Sequence, residues 1–165
     1  MPKIIYQYIN LPISTILLTS DGTALTGLYF AGQKHAATPN IKDYEQGQLS
    51  IFSQTYTELT EYLSNRRKEF TIPYNFIGTD FQKKVWSRLC SIPYGQVLSY
   101  KAIADLISAP NAFRAVANAI SRNNLSIIVP CHRVIGSNFR LTGYAAGLAI
   151  KQKLLNLESG IVSSI

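Results

Sequence analysis

The stretch Phe70–Gln82, FTIPYNFIGTDFQ, separates two halves of the chain that differ in character. Its first part contains a proline and a glycine, which are typical of an irregular connector. Its last part, Thr79–Gln82, fits a capping box, with the threonine as helix N-cap and the glutamine at the third helical position. Strands are predicted mainly before this stretch and helices mainly after it. We therefore expect an α+β protein with domains at residues 1–75 and 76–165.

The N-terminal half predicts a small sheet with one helix across it. Three runs rich in β-branched and aromatic residues are predicted strands: Ile4–Ile9, Ile13–Thr19 and Ala24–Phe30. Ser20–Thr23 has the composition of a turn, and residues 31–46 have that of a loop. Gln48–Lys68 has a helical spacing of apolar residues and ends in three cations, which suit a helix C-terminus.

The C-terminal half predicts four helices. The capping box opens the first, which continues to about Leu89. The other three are Tyr100–Ile107, Ala112–Arg122 and Leu148–Glu158, with Ser99 and Asn111 as expected N-caps and Gly160 as the expected stop. The brief turn between the second and third helices matches a helix-turn-helix. Many folds contain such a pair without binding DNA, so this signal alone is weak.

Composition excludes several classes of protein. The chain has 165 residues, of which 47% are hydrophobic, enough for an ordinary globular core. No segment reaches the roughly 18 apolar residues that a membrane-spanning helix needs, and the N-terminus does not resemble a signal peptide. Two cysteines far apart in sequence do not form a disulfide framework, which favours a reducing compartment.

The net charge of +7 lies entirely in the C-terminal half. Residues 1–78 carry six Lys or Arg and six Asp or Glu, whereas residues 79–165 carry ten and three. A basic field on one side favours a polyanionic partner. A solvated basic surface that serves solubility explains the charge equally well.

The segment Ile127–Gly136, IIVPCHRVIG, carries the chemistry. Cys131 follows an apolar run and a proline, and is followed directly by His132 and Arg133. A positive environment lowers a thiol's pKa and makes it nucleophilic. We therefore expect Cys131 to be reactive and Cys90, which has no imidazole nearby in sequence, to be a buried structural cysteine.

This segment and the motifs around it resemble the O6-alkylguanine-DNA alkyltransferases, which repair DNA by direct reversal. The motifs, in family order, are Gly78–Gln82, Val85-Trp86, Ile92–Gly95, Ser99-Tyr100, Arg114–Val116, Asn123, Pro130–Val134, Thr142–Tyr144, Gly147-Leu148 and Lys151. The resemblance is strong over residues 76–160, whereas residues 1–75 share only the coarse plan. It implies a ribonuclease-H-like N-terminal domain and a helical, winged-helix-like C-terminal domain with the helix-turn-helix.

The resemblance also implies roles for five residues in the reaction. Cys131 would accept the alkyl group, His132 would take its proton through a water molecule, and Glu158 would hold the imidazole. Asn123 would fix the turn before the cysteine segment. Tyr100 would donate a hydrogen bond to the departing guanine.

On the same grounds, the partner is double-stranded DNA with an O6-alkylguanine, bound through the minor groove with the damaged nucleotide flipped out. An alanine-lined helix can approach a narrow groove closely, and Arg114 would fill the vacated place in the base stack. The residues expected at the DNA are Ala112, Arg114, Ala115, Arg122 and Tyr100. Those expected around the flipped base are Val134, Tyr144, Ala145 and Ala146.

The implied reaction is a single displacement that leaves a thioether, so each molecule acts once and needs no cofactor. We expect a cytoplasmic monomer that binds no membrane and acts on O6 of guanine, with O4 of thymine as an open second target. Two positions depart from the family pattern: Ala146 replaces a common glycine, which would restrict bulky adducts, and Asn124 replaces a common proline. Residues 1–78 contain no cysteine and only His35, so the zinc that some relatives carry there is not expected.

Two other classes of function stay open on the residues alone. A helix-turn-helix regulator without chemistry would explain the basic half but not the Cys131-His132 pair with Glu158. A Cys–His hydrolase would need turnover on a peptide or ester, and its only support is that adjacent pair.

Overall fold

A computed structural model describes residues 2–33 and 39–160. The N-terminal half forms a four-stranded sheet of β1 (Ile5–Asn10), β2 (Thr15–Ser20), β3 (Leu25–Phe30) and β4 (Glu45–Gln46) in the order β3-β2-β1-β4. The first three strands are antiparallel neighbours, and β4 runs parallel to β1. The three predicted strands and the turn between β2 and β3 are confirmed, with boundaries displaced by one or two residues.

The prediction of a loop over residues 31–46 is wrong in its last part. Ile41–Asp43 form a 3-10 helix, and Glu45–Gln46 pair with the free edge of β1 through the amides of Glu45 and Gly47. Two exposed polar residues have no hydrophobic alternation, so only the presence of the edge makes them a strand. Residues 34–38 lie outside the described part of the chain.

Helix α1 (Ser50–Leu63) shares one apolar cluster with the sheet and is shorter than predicted. Asn65 has a φ of +60°, and the amides of Asn65 and Arg66 donate to the carbonyls of Tyr62 and Glu61. This is a Schellman ending, with asparagine in the place usual for glycine. The three cations therefore lie beyond the helix, and Arg67 instead pairs with Glu61 at 2.7 Å.

The C-terminal half contains α2 (Asp80–Leu89), α3 (Tyr100–Leu106), α4 (Phe113–Ser121) and α5 (Leu148–Ser159), with a short parallel pair of β5 (Leu98–Ser99) and β6 (Val134–Ile135). The capping box at Thr79 is confirmed in both hydrogen bonds, Ser99 caps α3, and Gly160 ends α5 with a φ of +77°. The expected cap at Asn111 is wrong. The chain turns tightly through Ala109 and Ala112, so α4 begins after Ala112 without a side-chain cap.

The two halves meet along the outer edge of β3. The connector bonds to Leu25 through Pro73 and Asn75, and the segment after α4 bonds to Leu28 through Asn124 and Ser126. A single apolar cluster continues from the sheet and α1 into α2, α4 and α5. The α+β class is thus confirmed, while the boundary at residues 75 and 76 stays a prediction. None of the helices in the described ranges has the length and hydropathy needed to cross a membrane.

Candidate functional site

Two tight turns deliver Cys131 to the interior of the molecule. Ile127, a buried β-branched residue, has a φ of +71° and is spanned by a hydrogen bond from Ile128 N to Ser126 O. Pro130 has φ −81° and ψ 63°, with Cys131 N donating to Val129 O at 2.8 Å. A positive-φ γ-turn on such a residue is strained by about 1–3 kcal/mol, so the surroundings must hold it in place.

Asn123 is the side chain that holds these turns. Its Nδ2 donates to Val129 O at 2.9 Å, and its Oδ1 accepts from Leu125 N at 2.9 Å. The side chain is buried at the end of α4. Asn123 therefore ties the helix to the segment that leads into Cys131, in the place that the resemblance implied.

The Cys131 thiol is buried, and burial raises its pKa against smaller opposing effects of a hydrogen bond from Asn123 and the charge of Lys151. The expectation that neighbouring cations would lower this pKa is wrong for the free protein. The Arg133 guanidinium forms its ion pair with Glu158 and not with the thiol. Burial lowers the pKa of His132, so its imidazole is neutral. The resting cysteine is thus a thiol that needs a base.

Glu158 forms the centre of a buried polar cluster. Its Oε1 contacts Tyr62 Oη at 2.6 Å, His132 Nε2 at 2.8 Å and Arg133 Nη2 at 2.8 Å, and its Oε2 accepts from Arg133 Nε at 2.8 Å. Burial raises the pKa of this carboxyl, but the hydrogen bonds from His132, Arg133 and Tyr62 outweigh it and hold the pKa far below its usual range. Glu158 is therefore ionised and accepts from every partner.

The ionised carboxylate fixes the tautomer of His132. Since Glu158 can only accept, Nε2 carries the proton and Nδ1 presents a lone pair. That Nδ1 is buried and has no hydrogen-bond partner among the residues in the described ranges. The histidine next to the thiol is consequently held with a free basic nitrogen.

A cavity of about 340 Å³ opens at Cys131. Five of the predicted site residues line it: Tyr100, Asn123, Cys131, Tyr144 and Ala145. Tyr100 donates to Thr142 O at 3.4 Å, and α4 contributes Ala117, Ile120 and Ser121. The cavity is mostly apolar with few polar groups, as ligand pockets usually are.

The expectation that Cys90 is buried is wrong, because this residue is exposed at the end of α2.

Other predicted site residues lie outside the Cys131 cavity. Ala146 lines a separate cavity of about 240 Å³ next to Phe30 and Gly147, so its methyl group is not beside the thiol. Val134 is buried in β6. Arg114 and Ala115 are exposed on α4, Arg122 is exposed directly after it, and Ala112 is partly buried directly before it, all outside the lining of the Cys131 cavity.

Three contributors were not assigned these roles from the sequence. Tyr62 reaches Glu158 from the N-terminal half, and Arg133 clamps it. Lys151 is buried and donates to Val134 O at 2.6 Å, Thr142 O at 2.8 Å and Gly143 O at 3.3 Å, which fixes the loop that forms one cavity wall. Burial lowers the pKa of Lys151 to about 8. The sequence did indicate that Lys151 is buried, because it lies at helical spacing from Leu154 and Glu158 on one face of α5.

Within the described ranges, no group of three or more His, Cys, Asp or Glu is arranged to hold a metal ion. His35 lies outside those ranges, so the expectation about zinc stays a prediction.

Comparisons with known proteins cover nearly the whole chain. The model described as "6-O-methylguanine DNA methyltransferase, ribonuclease-like domain" matches residues 4–76, and its "DNA binding domain" counterpart matches residues 80–160. A methylated-DNA–protein-cysteine methyltransferase of Methanosarcina barkeri is 45% identical over 154 residues, covering 93% of this chain and 96% of the relative. The inducible enzyme of that name from Bacillus subtilis is 43% identical over 145 residues, covering 82% and 81%.

The fold is similar to solved structures. A crystal structure of Mycobacterium tuberculosis OGT in complex with DNA aligns with a TM-score of 0.87 and 40% identity, covering 94% of this chain and 93% of that one. Family models and relatives therefore agree over both halves, and the chain belongs to the 6-O-methylguanine-DNA methyltransferase family.

Proposed function

We propose that this protein repairs DNA by moving the methyl or other alkyl group from O6 of guanine onto Cys131. The family gives the activity, and Cys131 is supported as the acceptor because it lines a cavity and is followed in the chain by His132, whose buried Nδ1 is unpartnered within the described ranges. A base that is held in one tautomer by an ionised carboxylate is the arrangement that activates a nucleophile.

The Cys131 sulfur forms a bond to the alkyl carbon while the bond from that carbon to O6 breaks. The thiol proton passes through a water molecule to His132 Nδ1, and Glu158 stabilises the resulting imidazolium. The guanine leaves with the electron pair on O6, and the Tyr100 hydroxyl offsets the charge that develops on the ring. The product thioether cannot return to the thiol, so each chain acts once.

DNA binding places α4 against the duplex. We infer that α4 faces the duplex, because Arg114 and Ala115 are exposed on it while Ala117 and Ser121 of the same helix line the cavity. We also infer that it enters the minor groove, because small side chains such as that of Ala115 let a helix approach a narrow groove closely. A nucleotide flipped out beside this helix would reach Cys131, and Arg114 would fill the place it left. The excess positive charge of residues 79–165 supports DNA binding by the C-terminal half. We propose that the protein binds the duplex as a monomer.

The test is an intact-mass measurement after incubation with an O6-methylguanine duplex. Wild-type protein is expected to gain one CH2 unit per chain, on Cys131, and to remove no more than one lesion per molecule. Cys131→Ser should stay unmodified while it binds the duplex with similar affinity, and Cys90→Ser is the matched control that should react as wild type. Binding without a mass change would favour a regulator, and repeated turnover on an ester would favour a hydrolase.

A second arm of this experiment tests the role of Arg114. Arg114→Ala should slow transfer from the duplex at least tenfold and leave reaction with free O6-methylguanine nearly unchanged, since only the duplex has a vacated stacking place. Equal slowing on both substrates would contradict insertion into the stack.

A further inference from the structure

Tyr62 links the N-terminal half directly to the reacting groups. It lies near the end of α1, is fully buried, and donates its hydroxyl to Glu158 Oε1 at 2.6 Å. The same oxygen accepts from His132 Nε2 at 2.8 Å. The tyrosine ring is fixed by Phe70 and Tyr94, whose ring centres lie 5.3 Å and 6.1 Å away. The hydroxyl is therefore held on the oxygen that faces the histidine.

We propose that Tyr62 is a positioning residue for alkyl transfer, which sets through Glu158 how strongly His132 binds a proton. This inference rests on the function proposed above, because it assumes that His132 is the base for Cys131.

The physical argument concerns the charge on one oxygen. Each donor to Glu158 Oε1 withdraws negative charge from it, and a buried site offers little water to replace a missing donor. Without the tyrosine hydroxyl, the carboxylate would attract the imidazolium more strongly, and the pKa of His132 would rise. More His132 would then be protonated at a given pH, so less of it could take the thiol proton.

Tyr62 is also the donor whose effect can be isolated. His132 is the base itself, and Arg133 carries a charge whose removal would leave Glu158 unpaired. Tyr62 is neutral, and burial raises its pKa well above the usual value, with the charge of Glu158 adding to the effect. It therefore stays a donor throughout the working range of pH.

Other titratable groups face this cluster and must be separated from it. They come from the cysteine turn (Cys131 and Arg133), from α5 (Lys151) and from the adjacent loops (Tyr94 and Tyr144). The pKa of Lys151 is lowered to about 8, and those of Cys131 and both tyrosines are raised. Below pH 7 the thiol, the lysine and both tyrosines therefore stay protonated, so the acidic limb of the rate profile reports on His132.

The experiment measures the rate of methyl transfer against pH for Tyr62→Phe, which keeps the ring and removes the hydroxyl. The acidic limb is expected to move to higher pH by about half to one unit, which is less than the full strength of one hydrogen bond to a charged group because the bond is present in both protonation states of His132. The pKa of the His132 imidazole, followed by NMR with His35→Gln to assign the second histidine, should rise by the same amount. Tyr94→Phe is the matched control, because its hydroxyl contacts Asn65 and Leu157 O and not Glu158.

A second substitution moves the effect in the opposite direction without removing a bond. 3-Fluorotyrosine at position 62 is a stronger donor, so the acidic limb and the His132 pKa should both shift to lower pH. If both variants keep the wild-type limb and the wild-type His132 pKa, Tyr62 serves only stability and the proposal is overturned, even if the melting temperature falls. Failure of the proposed function would look different, since wild-type protein would then not be methylated at all.

Discussion

Phe139 has a strained backbone conformation that its exposed side chain does not offset. It is 82% exposed and has a φ of +58° in a turn closed by hydrogen bonds between Gly136 and Phe139 and between Gly136 and Arg140. A bulky residue in the left-handed region costs about 1–2 kcal/mol, and an exposed ring returns little packing energy.

Phe139→Gly should therefore raise the free energy of unfolding by about 0.5–1 kcal/mol, since glycine's greater freedom in the unfolded chain offsets part of the relief. Urea unfolding would measure the change. Phe139→Ala, which removes the ring but keeps the strained backbone, is the control and should gain much less. Equal gains from both substitutions would show that the ring, and not the backbone, is responsible.

For single residues, the sequence predicts which residues form the site better than it predicts which partners their side chains contact. Cys131, His132 and Glu158 could be selected because the family motif contains them. The structure brings His132 and Glu158 into contact and places Cys131 in the lining of a cavity. Adjacency could not show that Arg133 turns from the thiol to Glu158. Nor could it identify Tyr62, which is 96 residues from Glu158 in sequence and looks like any other apolar position of α1.

Among the elements, helix α2 begins at a capping box that can be recognised from the sequence alone. Thr79 Oγ1 accepts from Gln82 N at 3.1 Å, and Gln82 Oε1 accepts from Thr79 N at 2.9 Å. The helix carries Trp86, whose Nε1 donates to Ala119 O of α4 at 2.8 Å. The cap therefore supports the contact between α2 and the helix that we place at the DNA.

Thr79→Ala is expected to lower the free energy of unfolding by about 1 kcal/mol, because it leaves one amide of the first turn without a partner. Thr79→Ser keeps the accepting oxygen and should stay within about 0.5 kcal/mol of wild type. Denaturant unfolding of the three proteins measures the difference. A loss as large for serine as for alanine would show that the threonine methyl group, and not the cap, stabilises the helix.

Elements without a local signal could not be predicted in the same way. Strand β4 exists because β1 has a free edge, and α1 stops at Leu63 because Asn65 takes a left-handed conformation that its neighbours do not reveal. The edge pairing is a tertiary contact, which overrides propensity, whereas the left-handed Asn65 belongs to a local helix ending that the apolar spacing does not report. The predicted strands and helices with strong periodicity were correct in type, and their errors lie at the boundaries.

Over the whole molecule, the two halves share the structure that holds the site. Strand β3 exchanges backbone hydrogen bonds with both the connector and the segment before Cys131, and Tyr62 of one half bonds to Glu158 of the other. Breaking either half away would expose the apolar cluster and leave the Glu158 carboxylate short of a donor. The net charge, in contrast, is not shared, because the whole positive excess lies in residues 79–165.

This coupling predicts a single unfolding transition. Trp86, the only tryptophan of the chain, reports on the C-terminal half, while far-UV circular dichroism reports on both halves. The two urea curves should coincide, as two-state unfolding requires. Tyr62→Phe, although it lies in α1, should lower the midpoints of both curves together, because the free energy of unfolding falls by about 2 kcal/mol when a buried hydrogen bond to a charged group is lost. A Trp86 transition that keeps its wild-type midpoint in this variant, or two separated transitions in the wild type, would mean that the halves fold independently and that the contact at Glu158 forms only when both are already in place.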